Sequence, residues 1–215
     1  MPIFLLDDKL QFPNPELANE EGLLAVGGDL SSDRLLLAYK NGIFPWFDND
    51  DEILWWSPDP RLILKLEDFK LSKSLKRIIN SKKFQVKFNT QFSQVINACA
   101  HTKREGELGT WITDGMKKGY IDLHNKGDAH SVEVYLDNKL VGGLYGLSIG
   151  KVFCGESMFH TVSNASKIAL YFLVEKLKKD QFLFIDAQTP TQHLISMGAI
   201  EVSRTDFLKL LIQAQ

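Results

Sequence analysis

The apolar pattern of this chain changes period at His130, and that change limits it to a mixed fold. Upstream, Leu71, Leu75, Ile78 and Ile79 recur at the spacing of one helix face, and Ser72 can start that helix. A second amphipathic helix is expected near Thr90 to Ala100 through Phe92, Val95, Ile96 and Cys99. A third begins at Thr113, carries Met116, Tyr120 and Leu123, and stops near Gly127. Downstream, Ser131 to Tyr135 alternates as a strand does, Asp137-Asn138-Lys139 turns, and Leu140–Leu147 and Lys151–Gly155 make two further strands. A helix follows from Ser163 or Asn164, with Ile168, Ala169, Phe172, Leu173 and Leu177 apolar. Phe182-Leu183-Phe184-Ile185 is wholly apolar, as a strand buried on both faces should be. A short helix through Leu194 and Met197, a turn at Gly198, a strand at Ala199–Val202 and a last helix end the chain. The class is therefore α+β, a mixed sheet with helices.

The first sixty residues read differently. Phe12-Pro13-Asn14-Pro15 is extended, because each proline disfavours helix in the residue before it. Ser31 or Ser32 caps a short helix through Leu35, Leu36 and Tyr39 that Gly42 closes. Phe44-Pro45-Trp46-Phe47 and Trp55-Trp56-Ser57-Pro58-Asp59-Pro60-Arg61 then crowd aromatic residues among prolines. The expectation is a small irregular domain over residues 1–62, leaning on a larger one over 63–215.

Charge is distributed unevenly. Residues 1–59 hold 12 acidic and 3 basic side chains, whereas residues 69–104 hold 9 basic and none acidic. A net charge of −2 argues against a general nucleic-acid coat, and opposed blocks point to one localised polyanion site. Lys73, Lys76 and Arg77 share a helix side, with Lys82, Lys83 and Arg61 near in sequence, which suits an RNA phosphate track. Residues 1–8 lack the pattern of a signal peptide, and no apolar run approaches the roughly 20 residues that span a bilayer. Cys99 and Cys154 form no CxxC pair, and the five histidines lack metal-like spacing. A cytoplasmic protein without a metal or a membrane partner is expected.

A meander leading into a helix, a buried strand and a helix is the order of acetyltransferase-like (GNAT-type) folds, an analogy that leaves function open. Such enzymes hold the coenzyme A pyrophosphate on a glycine-rich loop opening the helix after the third long strand. Here that place reads Gly155-Glu156-Ser157-Met158-Phe159-His160-Thr161-Val162-Ser163-Asn164, with no second glycine to let backbone approach phosphate. Coenzyme A is therefore not an expected ligand.

Several segments in one order are specific. They are Gly22–Leu30 (GLLAVGGDL), Gly42–Phe47 (GIFPWF), Leu54–Arg61 (LWWSPDPR), Gly109–Thr113 (GTWIT), Ala129–Val134 (AHSVEV) and Leu140–Gly146 (LVGGLYG). Gly155–Phe159 (GESMF), Asn164–Lys167 (NASK) and Ile185–Gln188 (IDAQ) complete them. Together they resemble the leucyl/phenylalanyl-tRNA–protein transferase family, from about Phe12 to about Leu210. The resemblance implies passage of leucine or phenylalanine from aminoacyl-tRNA to proteins beginning with Lys or Arg, marking them for degradation, on an acetyltransferase-like domain without its cofactor. Three positions depart from the family pattern: Ala187 where cysteine is expected, Leu144 where methionine is usual, and His160 where serine is common.

Aminoacyl-tRNA is already an activated ester, so the reaction requires neither ATP nor a metal. It needs the ester positioned, the incoming amine relieved of a proton and an oxyanion stabilised. Asp186 ends the apolar strand, and Gln188 can point the same way two residues on. The resemblance gives them the catalytic roles, Asp186 as base or electrostatic anchor and Gln188 as hydrogen-bond partner. It also gives Glu156, expected at the end of the third long strand, to the α-ammonium of the aminoacyl group. Met158, Leu144, Phe172, Leu173, Leu177 and Ile185 are candidates to line a side-chain pocket, and Trp111 to stack on the terminal adenine. Competing readings are a cell-wall type aminoacyl transferase, a small-molecule N-acetyltransferase and a tRNA-binding module without catalysis. The last would leave Asp186, Gln188 and Glu156 without a purpose.

Overall fold

A computed structural model describes residues 3–48, 52–102 and 110–215. Gly109 of the Gly109–Thr113 segment, and Lys103 and Arg104 of the basic stretch, lie outside the described residues.

The acidic first part holds more regular structure than its prolines imply. Its elements are β1 (Phe4–Leu6), β2 (Leu23–Gly27), α1 (Ser32–Lys40), β3 (Phe44–Pro45) and β4 (Leu54–Trp56). The strands pair in the order β1-β2-β4-β3. The Ser31 hydroxyl accepts from the Arg34 N–H and caps α1 as the sequence predicts. The expected division at residue 62 falls inside β5 (Arg61–Lys65), a strand of the larger sheet. Pro58 and Pro60 precede that strand directly and hide its start in the sequence.

Three elements follow before the first long helix: α2 (Lys73–Asn80), β6 (Gln85–Phe88) and α3 (Phe92–Ala100). Next is α4 (Asp114–Lys126), capped by the Thr113 hydroxyl and closed by Gly127 at φ +91°, the left-handed conformation that glycine takes without a Cβ penalty. The meander comprises β7 (Ala129–Leu136), β8 (Lys139–Ile149) and β9 (Val152–His160). Asp137 and Asn138, both at positive φ, make the two-residue turn that joins β7 to β8. Then come α5 (Ala165–Lys179), β10 (Phe184–Gln188), α6 (Gln192–Ser196), β11 (Ile200–Val202) and α7 (Arg204–Ala214).

The seven-stranded order is β11-β5-β10-β9-β8-β7-β6, antiparallel throughout except where β10 runs parallel to β9 across the α5 crossover. Meander, helix and parallel strand follow in the expected acetyltransferase-like order. One sheet face is covered by α1, α3, α4 and α7, the other by α2 and α5. The first core is continuous with the small sheet, since Leu24, Leu35, Tyr39 and Trp55 belong to the same buried cluster as Tyr120, Tyr145 and Phe207. No helix among the described residues is long and apolar enough to cross a membrane.

Two irregularities in pairing open the sheet. In β9, Ser157 lies opposite Tyr145 and Gly155 opposite Gly146, so Glu156 has no partner and forms a bulge. The parallel ladder joins only Val152–Cys154 to Phe184–Asp186, and beyond it β9 and β10 part. Gly146 is needed at the bulge, because a Cβ there would stand 2.2 Å from the Cys154 carbonyl oxygen. Gly146→Ala should therefore cost about 1–3 kcal/mol of stability, the usual penalty of forcing atoms into a filled core. Urea unfolding measures it; an unchanged midpoint would mean that the two strands separate freely at this place.

Candidate active site

Where β9 and β10 part, a cavity of about 350 Å³ opens. Gly155, Glu156, Ser157 and Met158 line it from β9, and Ile185, Ala187 and Gln188 from β10. Leu144, Phe153, Leu64, Leu170 and Leu173 make an apolar wall. Phe44, Pro45, Trp46 and Trp111 close it on the side of the small sheet, and Thr189, Thr191, His193 and Leu194 on the side of α6. Met158, Leu144, Leu173, Ile185 and Trp111, all candidates from the sequence, thus meet at one cavity.

Glu156 lies in the middle of β9, at the bulge, rather than at its end. Its Oε2 accepts from the Tyr120 hydroxyl at 2.8 Å, and its Oε1 from Gln188 Nε2 at 2.7 Å. Tyr120 in turn bonds the hydroxyl of Tyr39, which comes from α1. Burial pushes the Glu156 carboxyl up to about 7, against hydrogen bonds from Tyr39, Tyr120 and Gln188 that favour the charged form. Gln188 itself is at φ +63°, a conformation in which a side chain other than glycine is strained and must be held. Its N–H donates to Asp186 Oδ1 at 3.0 Å.

Asp186 does not line the cavity. It is 1% exposed, and Arg61 grips both of its oxygens, Nε to Oδ1 at 2.8 Å and Nη2 to Oδ2 at 2.7 Å. With Gln188 N–H on Oδ1 as well, the carboxylate is fully engaged, which favours an anchor over a base.

Arg61 must accordingly be withdrawn from the RNA track. Its guanidinium is 1% exposed and lies between the rings of Phe44 and Phe207, out of reach of any phosphate. Leu177 is withdrawn from the pocket: it is buried in the core one turn beyond Leu173 and does not reach the cavity. Phe172 packs against the same core without lining the cavity. Trp55 is wholly buried, its Nε1 on the Gly27 carbonyl, whereas Trp46, 46% exposed, stands at the cavity rim. Sequence reasoning passed over Trp46, Leu64, Phe153 and Leu170, although Trp46 lies inside the Gly42–Phe47 segment. No group of three side chains fit to hold a metal ion occurs among the described residues.

On α2, Lys73, Lys76 and Arg77 are exposed while Leu75 turns into the core, and Lys82 and Lys83 are exposed in the segment after the helix. None of the five has an ion-pair partner among the described residues.

Residues 63–212 match the family described as leucyl/phenylalanyl-tRNA protein transferase, and residues 28–59 match its N-terminal domain. The chain belongs to that family. A leucyl/phenylalanyl-tRNA–protein transferase of Pseudoalteromonas atlantica is 54% identical over 99% of this chain and 91% of its own length. One of Flavobacterium johnsoniae is 50% identical over 97% and 99%. Likeness to solved structures is loose: L-PGS from Bacillus licheniformis, 11% identical, covers 79% of this chain and 56% of that one with a TM-score of 0.43. A likeness of that size adds nothing to the assignment.

The raised Glu156 carboxyl has a thermodynamic signature. An unfolded glutamate titrates near 4.3, so the native state holds this proton more tightly, and the stability that follows is lost as pH rises through about 7. Between about pH 5 and 8, Glu156→Gln should gain stability relative to the wild type as pH rises. Urea midpoints across that range read the difference; one that stays constant would show that Glu156 does not titrate there.

Proposed function

We propose that this chain transfers leucine or phenylalanine from aminoacyl-tRNA to the N-terminal amine of proteins beginning with Lys or Arg, marking them for degradation. The observation that carries the reading is the cavity at the parted strands, apolar along β8, β9 and α5 and polar at Glu156 and Gln188. The amine attacks the ester carbonyl, a C–N bond forms and the bond to the ribose oxygen breaks. The proton lost by the amine ends on that oxygen. Glu156 receives the α-ammonium of the aminoacyl group, a task for its charged form. Gln188, donating to Glu156 through Nε2, keeps its carbonyl oxygen for the incoming amine. Asp186 serves as the anchor of Gln188. Trp111 stacks on the terminal adenine, and the exposed Trp46 at the same rim offers a second face.

The direct test is transfer of labelled leucine from charged tRNA to an Arg-starting peptide, with Met- and Glu-starting controls. Absence of transfer, or equal transfer to all three, would refute the reading. With tRNAs carrying Leu, Phe, Met, Ile and Val, Leu and Phe should be fastest and the β-branched residues slow, since their branch meets the pocket entrance. The preference should be graded, because an apolar pocket separates near neighbours by only about 1–3 kcal/mol. Leu144, branched where methionine is usual, shifts the Leu-to-Phe ratio. Equal rates for Ile and Leu would mean that no such pocket reads the side chain.

Lys73, Lys76, Arg77, Lys82 and Lys83 are proposed to follow tRNA phosphates. Changing Lys73, Lys76 and Arg77 together to Ala should weaken tRNA binding and flatten its salt dependence by about one unit of slope per lost contact. Transfer from a short aminoacyl-RNA fragment should hardly change. Equal losses with both donors would assign α2 to folding instead.

A further inference from the structure

Arg61 touches three separate parts of the molecule at once. Nε and Nη2 hold Asp186 on β10, and Nη1 donates to the Gly42 carbonyl at 3.2 Å, two residues before Phe44. The guanidinium carbon lies 4.7 Å from the ring centre of Phe44 and 4.5 Å from that of Phe207 on α7. From Gly42 the chain runs directly into Phe44, Pro45 and Trp46, which form one wall of the cavity. From Asp186 it runs directly into Ala187 and Gln188, which line the cavity from β10.

We propose that Arg61 is a positioning residue for aminoacyl transfer: bound to Gly42 and Asp186 together, it fixes Phe44–Trp46 against Ile185–Gln188 and so sets where Gln188 meets the substrate. This rests on the transfer reading above. The residue type follows from the geometry. Two parallel bonds to a carboxylate, a third to a carbonyl and a flat face between two rings require a planar fork with spare donors. Lysine, a point charge on a flexible stem, supplies none of that geometry.

A strut could do without charge. Replacing a buried ion pair by apolar side chains of similar volume is often neutral for stability or stabilising. A leucine in place of Asp186, however, gives the Gln188 N–H no acceptor, so the left-handed turn that aims the amide loses its hold from Asp186. Stability and activity should therefore separate.

The experiment compares the wild-type chain with Arg61→Lys and with the double variant Arg61→Met, Asp186→Leu. Thermal midpoint, kcat and KM are read with aminoacyl-adenosine and an Arg-starting peptide, and activity is expressed per folded molecule. The double variant should melt near the wild type, yet kcat should fall by about 10²-fold, the order expected for a misplacement near 1 Å. KM for both substrates should stay within about threefold, since the binding surfaces remain. Arg61→Lys should show the same split between kcat and KM, and it decides the question if the double variant does not fold. Wild-type turnover per folded molecule in either variant would overturn the proposal and leave the pair as a strut. Absence of transfer by the wild type would take down the reading it rests on.

Discussion

A guanidinium and a carboxylate, each 1% exposed, meet at 2.7 Å in the middle of this molecule. In so dry a setting neither charge is tolerable alone, because truncating one partner of a buried pair leaves the other desolvated and uncompensated. The rest of the arrangement follows from that mutual dependence. Arg61 must lie in β5, beside β10, for the fork to reach Asp186. Phe207 must come over from α7, and Phe44 from the small sheet, to flank the fork. The two sheets are thus joined by a polar contact inside an apolar core, and the cavity lies next to that joint.

Beside this joint the sheet is deliberately incomplete. An unbroken ladder between β9 and β10 would have satisfied every backbone group and left no room for a ligand. The bulge at Glu156 and the left-handed Gln188 interrupt the strands at facing places, and one hydrogen bond between their side chains spans the gap. The carboxylate is also held from behind, by a tyrosine of α4 and through it by a tyrosine of α1. The acidic first part of the chain therefore reaches the cavity and its carboxylate twice, through Tyr39 and through the segment from Gly42 to Trp46.

Much of this was legible from residues alone. Thr113 and Gly127 announce both ends of α4, and the alternation from Ser131 marks β7, because caps and periods are local properties. The bulge is invisible in sequence, since it exists only as a mismatch between two strands. Glu156 therefore reads as a strand-end residue. Arg61 reads as a surface cation, as an arginine after two prolines would, because its partner is 125 residues away. Leu173 and Leu177 share one stripe of α5, and periodicity separates core from solvent but not core from cavity.

The apolar wall of the cavity contains no special chemistry. Leu64, Leu144, Phe153, Leu173 and Ile185 are drawn from the same sheet face and helix that make the second core, and Leu177 one turn along the helix is ordinary interior. The cavity is in effect a recess in that interior. On the proposed reading, a guest side chain settling there would be judged by the standard that sorts the protein's own residues on folding, namely fit and freedom from water. Discrimination among guests would then be inherited from the folding code, and it would shift whenever the surrounding interior is repacked, even by changes that never touch the guest.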